Sequence, residues 1–241
     1  MTEQPMTAPL PETGGPGEVL LVDKEKGWTS FDVVNRLRGG LSLRKAGHAG
    51  TLDPMATGLL IVCTERRTRE VEQYMGLEKE YEVTMVLGGR TASFDAETPV
   101  VEERPTEGIT RAVVESALGG MTGRQLQTPP MWSALKVRGK PLYAYARKGE
   151  EVQRRPREVF VRSIDLRSVE MPRVSFAVVC SKGTYIRSLV DDVGRALGCG
   201  AYVAELRRTR IGPFRVADAL PVAEIVRKGV GREAGAHRPI A

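Results

Sequence analysis

The segment His48-Ala49-Gly50-Thr51-Leu52-Asp53-Pro54 constrains this chain more than any other, because it sets one carboxylate on a rigid turn. Glycine at 50 opens backbone angles closed to other residues, and Pro54 biases Asp53 toward an extended conformation. Presented in that way, Asp53 is a candidate nucleophile. The same residues also make an ordinary Asp-Pro turn with glycine present for geometry alone. The rest of the sequence has to decide between them.

A chain of 241 residues can bury one large core or two modest ones, so the fold stands on packing without disulfide or metal staples. Cys63, Cys180 and Cys199 are odd in number and far apart, with no Cys-x-x-Cys pair. That pattern points to a reducing compartment, read here as the cytoplasm, and away from a zinc knuckle. Residues 1–17 contain seven Pro or Gly, no Lys or Arg and no apolar run, so they read as a disordered tail and not as a targeting peptide. Residues 227–241 read as a second tail. No segment approaches the ~20 apolar residues of a membrane span.

The net charge of +6 becomes informative once located. From Arg124 to Glu158 there are nine basic residues, among them Lys136, Arg138, Arg154, Arg155 and Arg157, against three acids, so this stretch holds the whole surplus. Interleaved with Trp132, Tyr143 and Tyr145, it fits a polyanion with stackable bases. A solvated basic face is the alternative.

The ordered body is expected at 18–226. Strand-like runs fall at Glu18 to Val22, Leu59 to Cys63, Tyr81 to Leu87, Val159 to Leu166, Val174 to Cys180 and Tyr202 to Leu206. Helical patterns lie between them. Ser30 is placed to cap a helix through Val33, Val34 and Leu37, and Thr106 or Glu107 to open another through Ile109 and Val113. The clearest helix carries Ile186, Leu189, Val190, Val193 and Leu197, with Thr184 as N-cap and Gly198 as stop. Strands mixed irregularly with helices predict an α+β fold, with a mixed, largely antiparallel sheet flanked by helices.

Two histidines leave few catalytic options, and His237 falls in the expected tail. No glycine loop of the nucleotide-binding kind follows a strand, and no His, Cys and carboxylate cluster has metal spacing. Cofactor-free chemistry built on a carboxylate, a phenol and a guanidinium leads. Arg187 falls in the first turn of the long helix, where the macrodipole disfavours a cation, so something else must favour it there. A carboxylate such as Asp53 would do so; the alternatives are a pair with Asp191, four residues on, or a side chain that snorkels to solvent. Tyr81 shares a strand face with Val83, Met85 and Leu87, which makes it either core or a ring that stacks on an extruded base.

Taken together, these residues resemble a known family. Asp23-Lys24 with Gly27-Trp28-Thr29-Ser30, Gly47 through Gly58, Lys79-x-Tyr81, Thr91-x-x-x-Asp95, Gln127-x-Pro129-x-x-x-Ser133-Ala134-x-Lys136, Lys182 through Arg187 and Leu206-Arg207-Arg208-Thr209 stand in the order and spacing of bacterial tRNA pseudouridine-55 synthases of the TruB type. The resemblance runs from about Val19 to Pro221. It implies the pseudouridine synthase fold, isomerisation of a uridine in the T-stem loop of tRNA without cofactor or metal, and a monomer. By match of motif, Asp53 would be the nucleophile, Tyr81 the ring on the target base and Arg187 the partner of Asp53. Tyr185 would neighbour them, His48 would orient RNA, and Lys24 and Leu206 would shape the pocket. Residues 124–158 match the thumb-like insertion that grips RNA.

The chain departs from the family pattern at Glu25, where proline is common, and at Trp132, where tyrosine is common. It also ends about where many relatives begin a small C-terminal RNA-binding domain. The competing functions are an RNA-binding or tRNA-folding protein without catalysis, a guide-RNA-dependent synthase, and a C5 methylation through a cysteine such as Cys63.

Overall fold

The computed structural model describes residues 16–229. Most of both expected tails, His237 included, lies outside the described residues. The strands are β1 (Val19–Lys24), β2 (Ala46–His48), β3 (Thr57–Thr64), β4 (Lys79–Leu87), β5 (Gly89–Thr91), β6 (Val100–Glu103) and β7 (Gly123–Gln127). They continue with β8 (Lys136–Val137), β9 (Lys140–Pro141), β10 (Arg157–Glu170), β11 (Arg173–Cys180), β12 (Ala201–Ile211), β13 (Phe214–Arg215) and β14 (Leu220–Pro221). The α-helices are α1 (Ser30–Gly40), α2 (Val71–Gly76), α3 (Arg111–Gly119), α4 (Leu142–Ala146), α5 (Ile186–Ala196) and α6 (Val222–Lys228).

One sheet of ten strands organises the molecule, in the order β14-β1-β3-β12-β4-β11-β10-β7, with β2 beside β3 and β13 beside β12. Only β1 with β14 and β3 with β12 run parallel, so the sheet is mixed and largely antiparallel, as expected. The apolar run in β3 has a simple cause: both its faces are covered. Leu60 and Val62 pack under α1 and α6, while Leu59, Ile61 and Cys63 pack with Tyr74 of α2. A third core lies under α3 and α5, where Tyr81, Val83, Met85 and Leu87 of β4 meet Leu189, Val190 and Val193. Strand alternation in β4 thus holds along its length.

Helix starts differ from the sequence reading. Thr29, not Ser30, caps α1, in a reciprocal box with Asp32. Ser30 lies one residue further on, where its buried hydroxyl accepts from the Leu52 N–H at 2.9 Å and donates to the Leu52 carbonyl at 3.2 Å. It ties the first helix to the Asp53 turn. Thr110 caps α3 in place of Thr106 or Glu107. Tyr185 holds the N-cap position of α5, with no side-chain cap; Thr184 turns back to the Ser181 carbonyl at 3.0 Å. Helix α6 continues through Arg227 and Lys228, past the expected boundary at 226.

Strand β7 was not legible because its pattern is inverted: as an edge strand it exposes Arg124 and Leu126. It pairs with β10, so the basic stretch departs from and returns to neighbouring strands. The excursion proper is 128–156.

Gly58, just after the Asp53 turn, has φ +100°, and a Cβ there would lie 2.3 Å from the Arg208 carbonyl oxygen. Both the angle and the backbone contact exclude a side chain. Gly58→Ala is expected to destabilise the fold by more than about 1 kcal/mol, measured by urea unfolding. A variant as stable as the parent would contradict this close packing of β3 on β12.

Candidate active site

The Asp53 turn is strapped from three sides. Ala49 N–H bonds to the Ile61 carbonyl at 2.8 Å, Ser30 holds Leu52, and Gly27 N–H bonds to the Pro54 carbonyl at 2.8 Å. Lys24 lies wholly buried beneath it, its ammonium donating to the carbonyls of Glu25 (2.9 Å), Trp28 (2.7 Å) and Pro54 (3.3 Å). Burial pushes the Lys24 pKa down to about 8, against the pull of Asp53 and Glu97. Lys24 therefore shapes the turn from below and does not line the cleft.

Asp53 meets Arg187. The guanidinium donates from Nε to Oδ2 at 2.8 Å and from Nη2 to Oδ1 at 3.1 Å, a bidentate fork. Its other contacts go to the Ser93 carbonyl at 2.7 Å and the Trp132 carbonyl at 2.6 Å, and Asp95 stands 3.4 Å from Nε. The arginine side chain is 3% exposed and the aspartate 30%, so the cation is sealed in while the carboxylate keeps a face open. Burial works against the arginine's charge, but Asp53 and Asp95 outweigh it and hold its pKa above the ordinary value. Asp191, the alternative partner, pairs instead with Arg90 and Arg195.

These residues wall a cleft of about 860 Å³. Asp53, Tyr81, Arg187, Tyr185 and Leu206 all line it, joined by Lys79, Arg157, Lys182 and Arg208. His48 does not: it sits on β2 opposite Val62, with Nδ1 buried and unpartnered, and burial lowers its pKa. Tyr185 is fixed through its backbone by Gln127, which donates to its carbonyl at 3.0 Å and accepts from its N–H at 2.7 Å. The ring of Tyr185 lies under the Arg157 guanidinium, 4.8 Å from centroid to Cζ. Among the described residues, no group of His, Cys, Asp and Glu side chains could hold a metal ion.

A half-exposed carboxylate forked to a buried arginine beside a buried phenol agrees with the family comparisons. Residues 38–186 match the N-terminal domain of TruB family pseudouridylate synthases, and residues 187–230 match the tRNA pseudouridylate synthase B C-terminal domain. The chain belongs to the TruB family. A tRNA pseudouridine synthase B of Chlorobium luteolum is 49% identical over 92% of this chain and 78% of its own length. Another, of Opitutus terrae, is 48% identical over 91% and 90%. Among solved structures, a chain of the Cbf5-Nop10-Gar1 complex superposes with TM-score 0.69 at 34% identity, over 88% of this chain and 54% of that one. This TruB member thus spans about half of that chain. Its residues 187–229 are not a separate body: α5, β12, β13 and β14 belong to the same sheet and its cores.

The basic excursion divides the cations that the sequence grouped. Lys136 and Arg138 stand exposed on the β8–β9 hairpin, whose two-residue turn has positive φ at both Arg138 and Gly139. Arg155 is also exposed. Arg154 is tied to the Pro129 carbonyl and Glu151, and Arg157 to Tyr185 and the Gly183 carbonyl. Of the aromatics, Tyr143 is exposed, with Arg147 over its ring, whereas Tyr145 donates to the Val137 carbonyl. No helix among the described residues is long and apolar enough to cross a membrane.

Taken singly in the sequence, Asp95, Lys79, Arg208 and Gln127 carry no signal of a role; only their place in the motifs marks them. Lys79 is 5% exposed on the cleft floor, its ammonium donating at 2.6 Å to the carbonyls of Met75 and Leu77 at the end of α2. Burial, then the nearby Arg208, pushes its pKa down to about 8. Between pH 8 and 10.5 the unfolded chain keeps a proton on this lysine that the folded chain has given up, so the Lys79 contribution to stability rises with pH across that window. Urea titrations of the wild type and Lys79→Met should show their stability difference shifting by about 3 kcal/mol in favour of the wild type across that window. A difference independent of pH would show that Lys79 is not desolvated.

Proposed function

We propose that this protein converts uridine 55 in the T-loop of tRNA to pseudouridine, with Asp53 as nucleophile. The observation that carries the reading is the carboxylate of Asp53, open on one side and forked on the other by a buried arginine at the wall of the cleft. The relatives named tRNA pseudouridine synthase B supply the substrate class. The bond from C1′ to N1 breaks, the freed uracil turns in the cleft, and C5 bonds to C1′. C5 loses a proton and N1 gains one, so no atom leaves and no electron is exchanged.

In this reading the bidentate fork of Arg187 holds Asp53 aimed at the anomeric carbon, as carboxylates act in glycosidases. The target base must leave the stack, and the Tyr81 ring offsets about 1–3 kcal/mol of the cost of unstacking. Tyr185 and Leu206 bound the base, and His48 and Lys24 support the turn that carries Asp53. The 128–156 excursion acts as the thumb, gripping the T-stem through Lys136, Arg138 and Arg155. The enzyme works as a monomer in the cytoplasm on tRNA alone. Turnover on a bare T-arm transcript separates this reading from a guide-dependent synthase and from a non-catalytic RNA-binding protein.

Asp53→Asn is expected to bind a T-arm minihelix with wild-type affinity and to form no pseudouridine, assayed by mass spectrometry after derivatisation. Isomer from that variant would remove Asp53 from the chemistry. Replacing Lys136, Arg138 and Arg155 together by Gln should reduce the slope of log Kd against log salt by roughly 2, at about 0.7–0.9 for each phosphate no longer neutralised. An unchanged slope would mean that the hairpin does not touch phosphate.

A further inference from the structure

The basic excursion leaves the sheet after Gln127 and rejoins it at Arg157, and these two residues stand opposite each other where β7 pairs with β10. Both reach the same residue. Gln127 holds the backbone of Tyr185 with its amide, accepting from the N–H at 2.7 Å and donating to the carbonyl at 3.0 Å. Tyr185 is the N-cap of α5 and makes no side-chain cap of its own, so the start of that helix is anchored from the neighbouring strand. Arg157 holds the ring. Its guanidinium lies over the Tyr185 face, 4.8 Å from Cζ to the centroid, and donates from Nη2 to the Gly183 carbonyl.

A cation on the wall of a cleft that receives RNA ordinarily waits for phosphate, and the sequence groups Arg157 with such cations. Its surroundings point another way. Nε is buried without a hydrogen-bond partner, which suits a guanidinium laid on a π face and not one presented to solvent. Gly183 admits it: φ there is +81°, and a Cβ would lie 3.4 Å from the Arg157 Cζ. Arg155, two residues earlier, stands exposed.

We propose that Arg157 is a positioning residue for the isomerisation, acting through the Tyr185 ring and not through RNA phosphate. The proposal rests on the reading of Tyr185 as a wall of the base site. With Gln127 on its backbone and Arg157 on its ring, Tyr185 is held to one rotamer. A ring free to turn about χ1 would sweep the cleft in which the freed uracil has to rotate. Arg187, the partner of Asp53, follows two residues later, so both roots of the excursion also fix the helix start that carries it.

The test measures single-turnover rate, RNA affinity and salt dependence on a T-arm minihelix for the wild type, Arg157→Met, Tyr185→Leu and the double variant. Arg157→Met should lose about tenfold in rate, with Kd within about twofold of wild type and an unchanged slope of log Kd against log salt. A slope reduced by about 0.7–0.9 would assign the arginine to a phosphate and overturn the proposal. In the Tyr185→Leu background the same substitution should cost less than about twofold, and equal losses in both backgrounds would also overturn it. NMR needs neither a change at 157 nor turnover: the Arg157 Nε proton should lie upfield in the wild type and move downfield in Tyr185→Leu, where the ring current is gone. An unmoved signal would rule the contact out. The underlying reading fails separately: Tyr185→Leu at the wild-type rate would remove the ring from the base site, and a wild type that forms no pseudouridine on the T-arm would remove the reaction itself.

Discussion

The bidentate pair between Arg187 and Asp53 is the constraint on which the site depends. A guanidinium offers its donors in a fixed plane, and this one spends them on Asp53, on the Ser93 carbonyl and on the Trp132 carbonyl. One side chain therefore ties helix α5 to the 48–54 turn, to the loop after β5 and to the root of the excursion. The arrangement also explains a cation in the first turn of a helix, where the macrodipole opposes it. Two carboxylates, Asp53 and Asp95, more than compensate. Removing Arg187 would strand the buried carboxylate of Asp95 as well as Asp53, a loss typically of about 3–5 kcal/mol, so the arginine serves the fold and the aim of Asp53 together.

What was legible in the sequence follows from which signals are local. The positive φ of Gly50, the strand run from Leu59 to Cys63 and the alternation from Tyr81 to Leu87 all express backbone geometry or burial, and each is found where expected. The helix starts failed for the opposite reason. Ser30 and Thr184 satisfy a local capping rule, but Leu52 and the Ser181 carbonyl claim their hydroxyls through tertiary or loop contacts. Thr29 and Tyr185 are left as the caps. Charge location found the excursion but not its division of labour, because an arginine tied to a carbonyl and one facing solvent look alike in a sequence.

Arg208 shows the same limit more sharply. The run Arg207-Arg208-Thr209 entered the sequence reading only through the family motif, yet alternation from the buried Leu206 already places 208 on the inner face. Charge obscured a pattern that burial obeyed. Asp95 had no comparable pattern, since its burial depends on a loop in which Ser93 and the Glu97 N–H satisfy its carboxylate. Only the family motif marked it.

The cleft floor gathers Lys79, Arg187 and Arg208, each almost completely buried, with Lys182 and Arg157 above them. Such a concentration opposes folding, and the depressed pKa of Lys79 measures part of that opposition. The cost is offset where contacts are fixed in advance: two helix-end carbonyls for Lys79, two carbonyls for Arg208, and Asp53 with two carbonyls for Arg187, which Asp95 also faces as an ion pair. Nothing in these contacts has to reorganise for the cleft to present its positive field. The excursion is part of the same logic. Ala134 and Leu135 close the cleft wall, and the Trp132 carbonyl just before them satisfies a donor of Arg187. If the root of the excursion moved away, a buried guanidinium N–H would lose its acceptor. The segment that presents Lys136 and Arg138 to solvent is therefore held, through the Trp132 carbonyl, at the position Arg187 requires.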